Sequence, residues 1–536
     1  MKKKLRILLF FLVFAVSLSA CVKSQSGDIV ILYTNDIHCA VDSGIGYAGL
    51  ASLQNQYEAD GNAVLLVDCG DAIQGEPIGT LSEGEYIIDI MNEVGYDVAA
   101  IGNHEFDYGS NRFLELTEIA QFPYVSCNFR DIRSGENLVE PYVILQAHNK
   151  KIAFLGISTP FTITSSSPAH FQDDTGSFVY SFDQDMTGET VYTAVQSAID
   201  SAKKEGADYI IALCHLGAEE SFSPWSSTDI IQNTSGIDVL LDAHSHRATA
   251  CDRLTDKSGN WVLRSQTGTK FESVGMLLIQ KDGSISTGLI TEHKEKEERI
   301  VEFISAIQSQ YNDILQTVIG HSDVELTIQD PETGNRRVRS GETNLGDLCA
   351  DAYLYMTGAD CAFTNGGGVR DSISAGDITY EDILKVHPFG NAVCVVETTG
   401  LDILNALEMG CYNYPNEDGS FPQVAGITFD LNSDVPPSVV IDENGMFLEV
   451  TGNYRVQNVM IQGMPLELDK TYLLASHDYF IKEGGGGMNM FQDDTLLQDS
   501  VMLDNQILIQ YITDYLGGLI GSDYANPYGQ GRINIR

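Results

Sequence analysis

"DVAAIGNHEFDYG", residues 97–109, runs apolar to Ile101 and then sets Asn103, His104, Glu105 and Asp107 within the next few positions. A short apolar run closed by glycine reads as a buried strand, so these polar groups would be delivered to one edge of a sheet. Further runs of the same kind are "DIVILYT" (28–34), "AVLLVDC" (63–69), "FPYVSCN" (122–128), "KIAFLGIS" (151–158), "DYIIALC" (208–214) and "IDVLLDA" (237–243). Between them lie amphipathic patterns such as "GEYIIDIMNEVG" (84–95) and "GETVYTAVQSAIDSAKKEG" (188–206), which read as helices. The alternation predicts an α/β layered domain, where functional groups gather beyond the carboxyl ends of the strands.

The polar residues follow that rule. Asn35, Asp36 and His38 come after the first run, Gly70 and Asp71 after the second, and Asn103 and His104 after "DVAAI". His215 follows "DYIIALC", and His244 and His246 follow "IDVLLDA". Singly, each has an ordinary reading as a turn, a cap or a hydrogen-bonded core histidine. Their recurrence at equivalent topological positions points instead to one metal-binding edge.

Composition bounds the rest. With 536 residues, 43% of them hydrophobic, the chain can bury sizeable cores and is expected to divide into at least two domains. The 31 Lys and Arg against 75 Asp and Glu leave a net charge of −44, which repels polyanions such as duplex nucleic acid. A small phosphorylated substrate would need local cations. The start, "MKKKLRILLFFLVFAVSLSAC", has the basic, apolar and small-residue regions of an export signal over residues 1–20. "LSAC" resembles a bacterial lipobox, which implies lipid attachment at Cys21, a short linker over 21–27 and anchoring to the outer face of a bacterial cell membrane. The nine other cysteines are odd in number and contain no C-x-x-C pair, so the fold is expected not to depend on disulfides.

The motifs "NDIH" (35–38), "DCGD" (68–71), "GNHEFD" (102–107), "CH" (214–215) and "AHSH" (243–246) make the chain similar to a known family. It resembles the calcineurin-like metallophosphoesterases, and within them the 5′-nucleotidase, UDP-sugar hydrolase and 2′,3′-cyclic phosphodiesterase group, from about Asp28 onward. The resemblance implies an N-terminal four-layer α/β sandwich over 28–293, a connecting helix over 294–320 and a C-terminal α/β substrate-binding domain over 321–536. It implies two divalent ions, one held by Asp36, His38 and His246, the other by Asn103, His215 and His244, with Asp71 between them. Mixed imidazole and carboxylate donors suit zinc or manganese, and also cobalt or iron, better than magnesium or calcium. His104 and Asp107 would form a catalytic dyad, while Glu105 is read as hydrogen-bonding beneath the loop. Cys39 and Ala243 stand where glycine is common in the family.

The linker region carries Ile300, Ile304, Ile307, Tyr311, Ile314 and Val318 at helical intervals, and in the family such a helix permits rotation between domains. Beyond it a second α/β pattern begins with "ETNLGDLCADAYLYMTG" (342–358), "CAFTNGGGVR" (361–370) and "ITYEDILKVHPFGN" (378–391). Arg370 follows a strand and offers a planar fork suited to phosphate or carboxylate. The resemblance carries Arg339, Asn365, Arg370, Phe389 and Asn391 onto nucleotide-binding positions, with Phe480 as a second aromatic stacked on the base. Gly486 stands where the family commonly has an Asp that touches ribose hydroxyls. The implied activity is hydrolysis of nucleoside 5′-monophosphates. The alternatives are 2′,3′-cyclic nucleotide phosphodiesterase with 3′-nucleotidase activity, nucleotide-sugar pyrophosphatase, or a surface protein that binds nucleotides without turnover.

Overall fold

The computed structural model describes residues 27–536 apart from 167, 174, 220, 221 and 500; the export segment and Cys21 lie outside the described residues. Four parallel strands open the first domain: β1 (Ile29–Thr34), β2 (Ala63–Asp68), β3 (Val98–Ala100) and β4 (Tyr124–Val125). A second sheet holds β5 (Tyr142–Ala147), β6 (Lys150–Ser158), β7 (Tyr209–His215), β8 (Val239–Leu241), β9 (Ala248–Thr255) and β10 (Trp261–Thr267). Its order is β9-β10-β8-β7-β6-β5, parallel from β6 to β10 through β7 and β8 and antiparallel at both edges. The chain then returns to the first sheet as β11 (Val274–Ile279) and β12 (Ile285–Ile290), giving the order β12-β11-β1-β2-β3-β4.

Side-chain alternation sorts this domain into layers. Ile29, Ile31 and Tyr33 of β1 pack between the sheets with Ile211 and Leu213 of β7 and Val239 and Leu241 of β8. Val30 and Leu32 point the other way, toward α1 (Gly46–Ala59), α2 (Glu85–Val94) and α3 (Ser110–Ile119). On the far side, Ile210, Ala212 and Cys214 of β7 meet α4 (Glu189–Lys204) and α5 (Ser227–Asn233). The result is the expected four-layer α/β sandwich. Every β1 side chain is buried, which explains why the strand reads as a continuous apolar run.

The connector departs from the expected single helix over 294–320. Helix α6 spans Glu298–Gln308, a separate turn covers Asn312–Leu315, and β13 (Val318–Ser322) follows at once. Ile300, Ile304 and Ile307 are buried against the first domain, whereas Ile314 and Val318 are 61% and 56% exposed. The apolar spacing beyond 308 was satisfied by a different period: Val318 pairs with Thr379 across an antiparallel ladder. A few apolar residues at three- or four-residue intervals do not by themselves separate a helix from a helix followed by a strand.

In the second domain, β14 (Cys361–Asn365), β15 (Val393–Thr399), β16 (Pro422–Ala425), β17 (Thr471–His477) and β18 (Thr495–Gln498) form a mixed sheet in the order β16-β14-β17-β15-β18. Helix α7 (Asn344–Thr357), capped by the Thr343 hydroxyl, packs Leu345 and Leu348 on one face. Helix α8 (Tyr380–Val386) starts with a Thr379–Asp382 capping box, and α9 (Gly400–Cys411) packs Ile403 and Leu407 on the other face. Of the described cysteines, all but Cys251 are buried. Among the described residues, no helix is long and apolar enough to cross a membrane.

Candidate metal centre

The carboxyl ends of β1, β2, β3, β7 and β8 meet at one edge of the sandwich and bring Asp36, His38, Asp71, Asn103, His104, His215, His244 and His246 together. Asp36, His38, Asp71, His244 and His246 all lie in the left-handed backbone region, with φ of 51°, 50°, 61°, 76° and 56°. For a side chain with a Cβ that conformation costs about 1–2 kcal/mol, so the surrounding packing imposes it. Cys39 shares it with φ of 60°, which accounts for the suitability of glycine there; Ala243 does not.

Hydrogen bonds fix the imidazoles. His38 Nδ1 donates to the Gln74 carbonyl at 3.0 Å and His215 Nδ1 to the Cys69 carbonyl at 2.9 Å, which turns each Nε2 toward the site. His38 Nε2 stands 3.1 Å from His246 Nε2, and His246 Nε2 is 3.5 Å from Asp36 Oδ1. His215 Nε2 lies 3.0 Å from Asp71 Oδ2, an oxygen that is also 4.0 Å from His38 Nε2. Ligand atoms of Asp71, His215 and His244 fall within 4.8 Å of one another, as do those of Asp36, His38 and His246. The buried Asn103 Oδ1 has no hydrogen-bond partner, and His215 Nε2 approaches Asp71 without hydrogen-bond geometry.

Charge is arranged to match. Burial pushes Asp36 up to about 7. Burial also opposes ionisation of His215 and Asp71, but their mutual attraction outweighs it, raising His215 to about 10 and holding Asp71 well below the usual carboxylate range. Burial keeps His244 neutral down to about 3 and likewise lowers His38 and His246. Three neutral imidazoles, a fourth paired with Asp71, two carboxylates and an orphaned amide oxygen fit two divalent ions, with Asp36, His38 and His246 around one, Asn103, His215 and His244 around the other, and Asp71 shared.

Beside this cluster, His104 Nδ1 lies 2.5 Å from Asp107 Oδ2, and a ring nitrogen of His104 stands within 4.8 Å of ligand atoms of His38 and Asp71. Burial works against a charged His104, but Asp107 and Asp71 outweigh it and raise its pKa. The second domain closes over this point. Phe389 stacks on His104 with ring centroids 5.9 Å apart and planes at 26°, while the Arg370 guanidinium sits 5.6 Å from the Phe389 ring. Thr80 Oγ1 donates to the Pro388 carbonyl at 2.8 Å and ties that loop to the first domain. Arg339 and Arg370 form no ion pair among the described residues, whereas Arg336 is held by Glu417 at 2.6 Å. Burial, then crowding by neighbouring arginines, presses Arg370 down to about 10 and Arg339 well below its usual range. Arg337, next to Arg336, looks equivalent in the sequence, but it turns away to the Glu342 carbonyl and the Tyr528 ring.

One expected substrate contact is corrected. Phe480 is fully buried against Phe363, His477 and Tyr479, so it presents no face for stacking and belongs to the core. Asn365 spends both polar ends inside the domain, its Oδ1 3.0 Å from His477 Nε2 and its Nδ2 3.0 Å from the Gly419 carbonyl. Asn391 is half-buried and donates to Asp504 at 3.3 Å. Gly486 has φ of +60°, and a Cβ there would stand 2.2 Å from Ser420 Oγ, so the glycine at this position serves a close approach of two loops.

The chain matches the calcineurin-like phosphoesterase family over residues 29–248 and the 5′-nucleotidase C-terminal domain family over residues 318–493. It is 28% identical, over 94% of its length, to the trifunctional nucleotide phosphoesterase YfkN of Bacillus subtilis, of which it spans only 35%. It is 27% identical to the 5′-nucleotidase of Vibrio cholerae, over 90% of both chains. Its fold superimposes on the 5′-nucleotidase precursor of Thermus thermophilus with a TM-score of 0.79 at 24% identity, covering 95% of this chain and 99% of that one.

Proposed function

Because the chain belongs to the calcineurin-like phosphoesterases that carry a 5′-nucleotidase C-terminal domain, a class of metal-dependent phosphoester hydrolases, we propose that it hydrolyses nucleoside 5′-monophosphates to nucleoside and phosphate. The observation that carries this reading is the pair of ligand sets meeting at Asp71, close to Arg370 and Arg339, which form no ion pair among the described residues. Asp36, His38 and His246, and Asn103, His215 and His244, with Asp71 between them, would hold two divalent ions, zinc or manganese by the chemistry of the donors, which would supply Lewis acidity toward phosphoryl oxygens.

The chain's own residues supply the rest. Arg370 and Arg339 draw the anionic phosphate into an acidic protein and orient it. His104, whose imidazolium form Asp107 favours, offers a proton and positive charge where the phosphoryl group and leaving oxygen develop negative charge. Phe389, next to Arg370, provides a flat face for the base. The export pattern supports a location outside the cytoplasm, with Cys21 as a lipid anchor. Release of a Cys21→Ser variant into the medium would agree with the anchor; retention of that variant on cells would contradict it.

The deciding experiment is phosphate release from 5′-, 3′- and 2′,3′-cyclic nucleotides and nucleotide sugars, using metal-stripped protein reloaded with zinc, manganese or cobalt. Highest kcat/KM on 5′-monophosphates supports the proposal. Gly486, which leaves no acceptor for ribose hydroxyls at that point, favours a second reading in which cyclic nucleotides or nucleotide sugars are preferred, and the same panel separates it. Full metal loading with no phosphate released from any of them would leave a nucleotide-binding protein without turnover.

A further inference from the structure

Glu105 is buried in the segment that carries Asn103 and His104, yet no step above uses it. Among the described residues its carboxylate touches neither imidazole nor arginine through a hydrogen bond; it accepts three backbone N–H groups instead. Asp71 N at 2.8 Å and Gly102 N at 2.6 Å share Oε2, and Ala72 N at 2.8 Å takes Oε1. These amides belong to two different loops, one after β2 and one after β3.

The loops touch backbone to backbone. A Cβ on Gly102 would lie 2.7 Å from Asp71 N, and one on Gly70 would lie 2.5 Å from Gly102 N. A parallel tie runs from His104 N to Asp71 Oδ1 at 2.8 Å. Asp71, the carboxylate common to both ligand sets, is thereby kept in its left-handed conformation, with Oδ1 engaged and Oδ2 turned toward His215 and His38. Buried amides need acceptors, and a buried carboxylate needs donors; here each group satisfies the other.

We propose that Glu105 is a positioning residue of the metal centre: by gripping the amides of Asp71, Ala72 and Gly102, it holds the Asp71 loop and the Asn103–His104 loop at one separation before any ion binds. The proposal rests on the dinuclear reading of the site. Glutamine at this position keeps the size and can serve the two amides at Oε2 with its carbonyl. Its NH2 group then faces the Ala72 N–H, donor against donor.

Two measurements test it. In metal-stripped wild-type protein, hydrogen exchange at the amides of Asp71, Ala72 and Gly102 is expected to be slow already. Fast exchange that slows only after manganese is added would overturn the proposal, because the ions and not Glu105 would then order the loops. In manganese titrations followed by electron paramagnetic resonance, wild type is expected to give an exchange-coupled pair. Glu105→Gln is expected to bind its second ion about 10–100-fold more weakly, with the coupled signal delayed to match. Unchanged affinity and an unchanged signal in the variant would also overturn it. If wild type itself gives no coupled pair, the dinuclear reading fails, and the exchange result alone then judges Glu105. The same wild-type exchange result decides if Glu105→Gln does not fold.

Discussion

Asp107→Asn isolates the electrostatic half of the His104 dyad while keeping its shape. Asp107 Oδ2 lies 2.5 Å from His104 Nδ1, and both side chains are almost out of solvent. A hydrogen bond to an ionised partner contributes about 1.5–3 kcal/mol. If that energy acts mainly when charge develops on the phosphoryl group, its loss lowers kcat by about 10- to 150-fold. The direction of the pH change follows from the same contact. Burial lowers His104, and Asp107 with Asp71 more than restores it, so the imidazolium persists to higher pH than an ordinary histidine. An activity that needs the imidazolium falls as pH rises through that pKa, and removing the Asp107 charge must move this alkaline limb to lower pH. Steady-state kinetics across a pH series, with metal content measured in parallel, is the assay. Normal turnover, or a reduced rate whose alkaline limb stays in place, would refute the dyad. Loss of metal in the variant would show that Asp107 supports the ligands instead.

Metal loading at pH 7 is expected to release roughly one to two protons, since Asp36 near 7 and His215 near 10 carry protons that ions displace; calorimetry in buffers of different ionisation enthalpy measures this, and zero release would contradict it. Asp71→Asn removes the shared carboxylate and is expected to leave at most one tightly bound ion per chain by elemental analysis; two retained ions would show that Asp71 is not common to both. Arg370→Ala is expected to raise KM for a phosphorylated substrate by about 10- to 150-fold, with kcat less affected, because it removes a charged contact made before chemistry. Gly486→Asp places a Cβ at φ of +60° and 2.2 Å from Ser420 Oγ, so it is expected to cost about 1–2 kcal/mol and lower Tm by several degrees in calorimetry. An unchanged Tm would mean that the loop relaxes freely.

Local periodicity made most of the architecture readable from the amino-acid order. Ile29, Ile31 and Tyr33 face one way and Val30 and Leu32 the other because successive strand side chains alternate, and that rule needs only near neighbours. The metal edge was partly legible for the same reason: parallel strands bring their carboxyl ends to one edge of a sheet, which groups Asp36, Asp71 and Asn103 on the first sheet and His215 and His244 on the second, while the meeting of the two edges depends on how the sheets pack. The position of the "GNHEFD" cluster at a strand end was legible, but not what each of its side chains would meet.

Long-range packing decided the rest. Phe389 and Phe480 are alike as residues, yet one stacks on His104 of the other domain and the other fills a core beside Phe363, because burial depends on which surfaces the tertiary fold brings against each ring. Arg336 and Arg337 differ only in where Glu417, Glu342 and Tyr528 arrive from distant segments. The periodic apolar residues after Gln308 ended in a strand because Thr379 was available as a pairing partner. The order of residues thus determined the layers, the strand ends and the kinds of donor at the site. Only the folded chain decided that Asp71 would face both histidine sets and that Glu105 would brace it, since those contacts join loops whose approach is set by close packing of the whole domain.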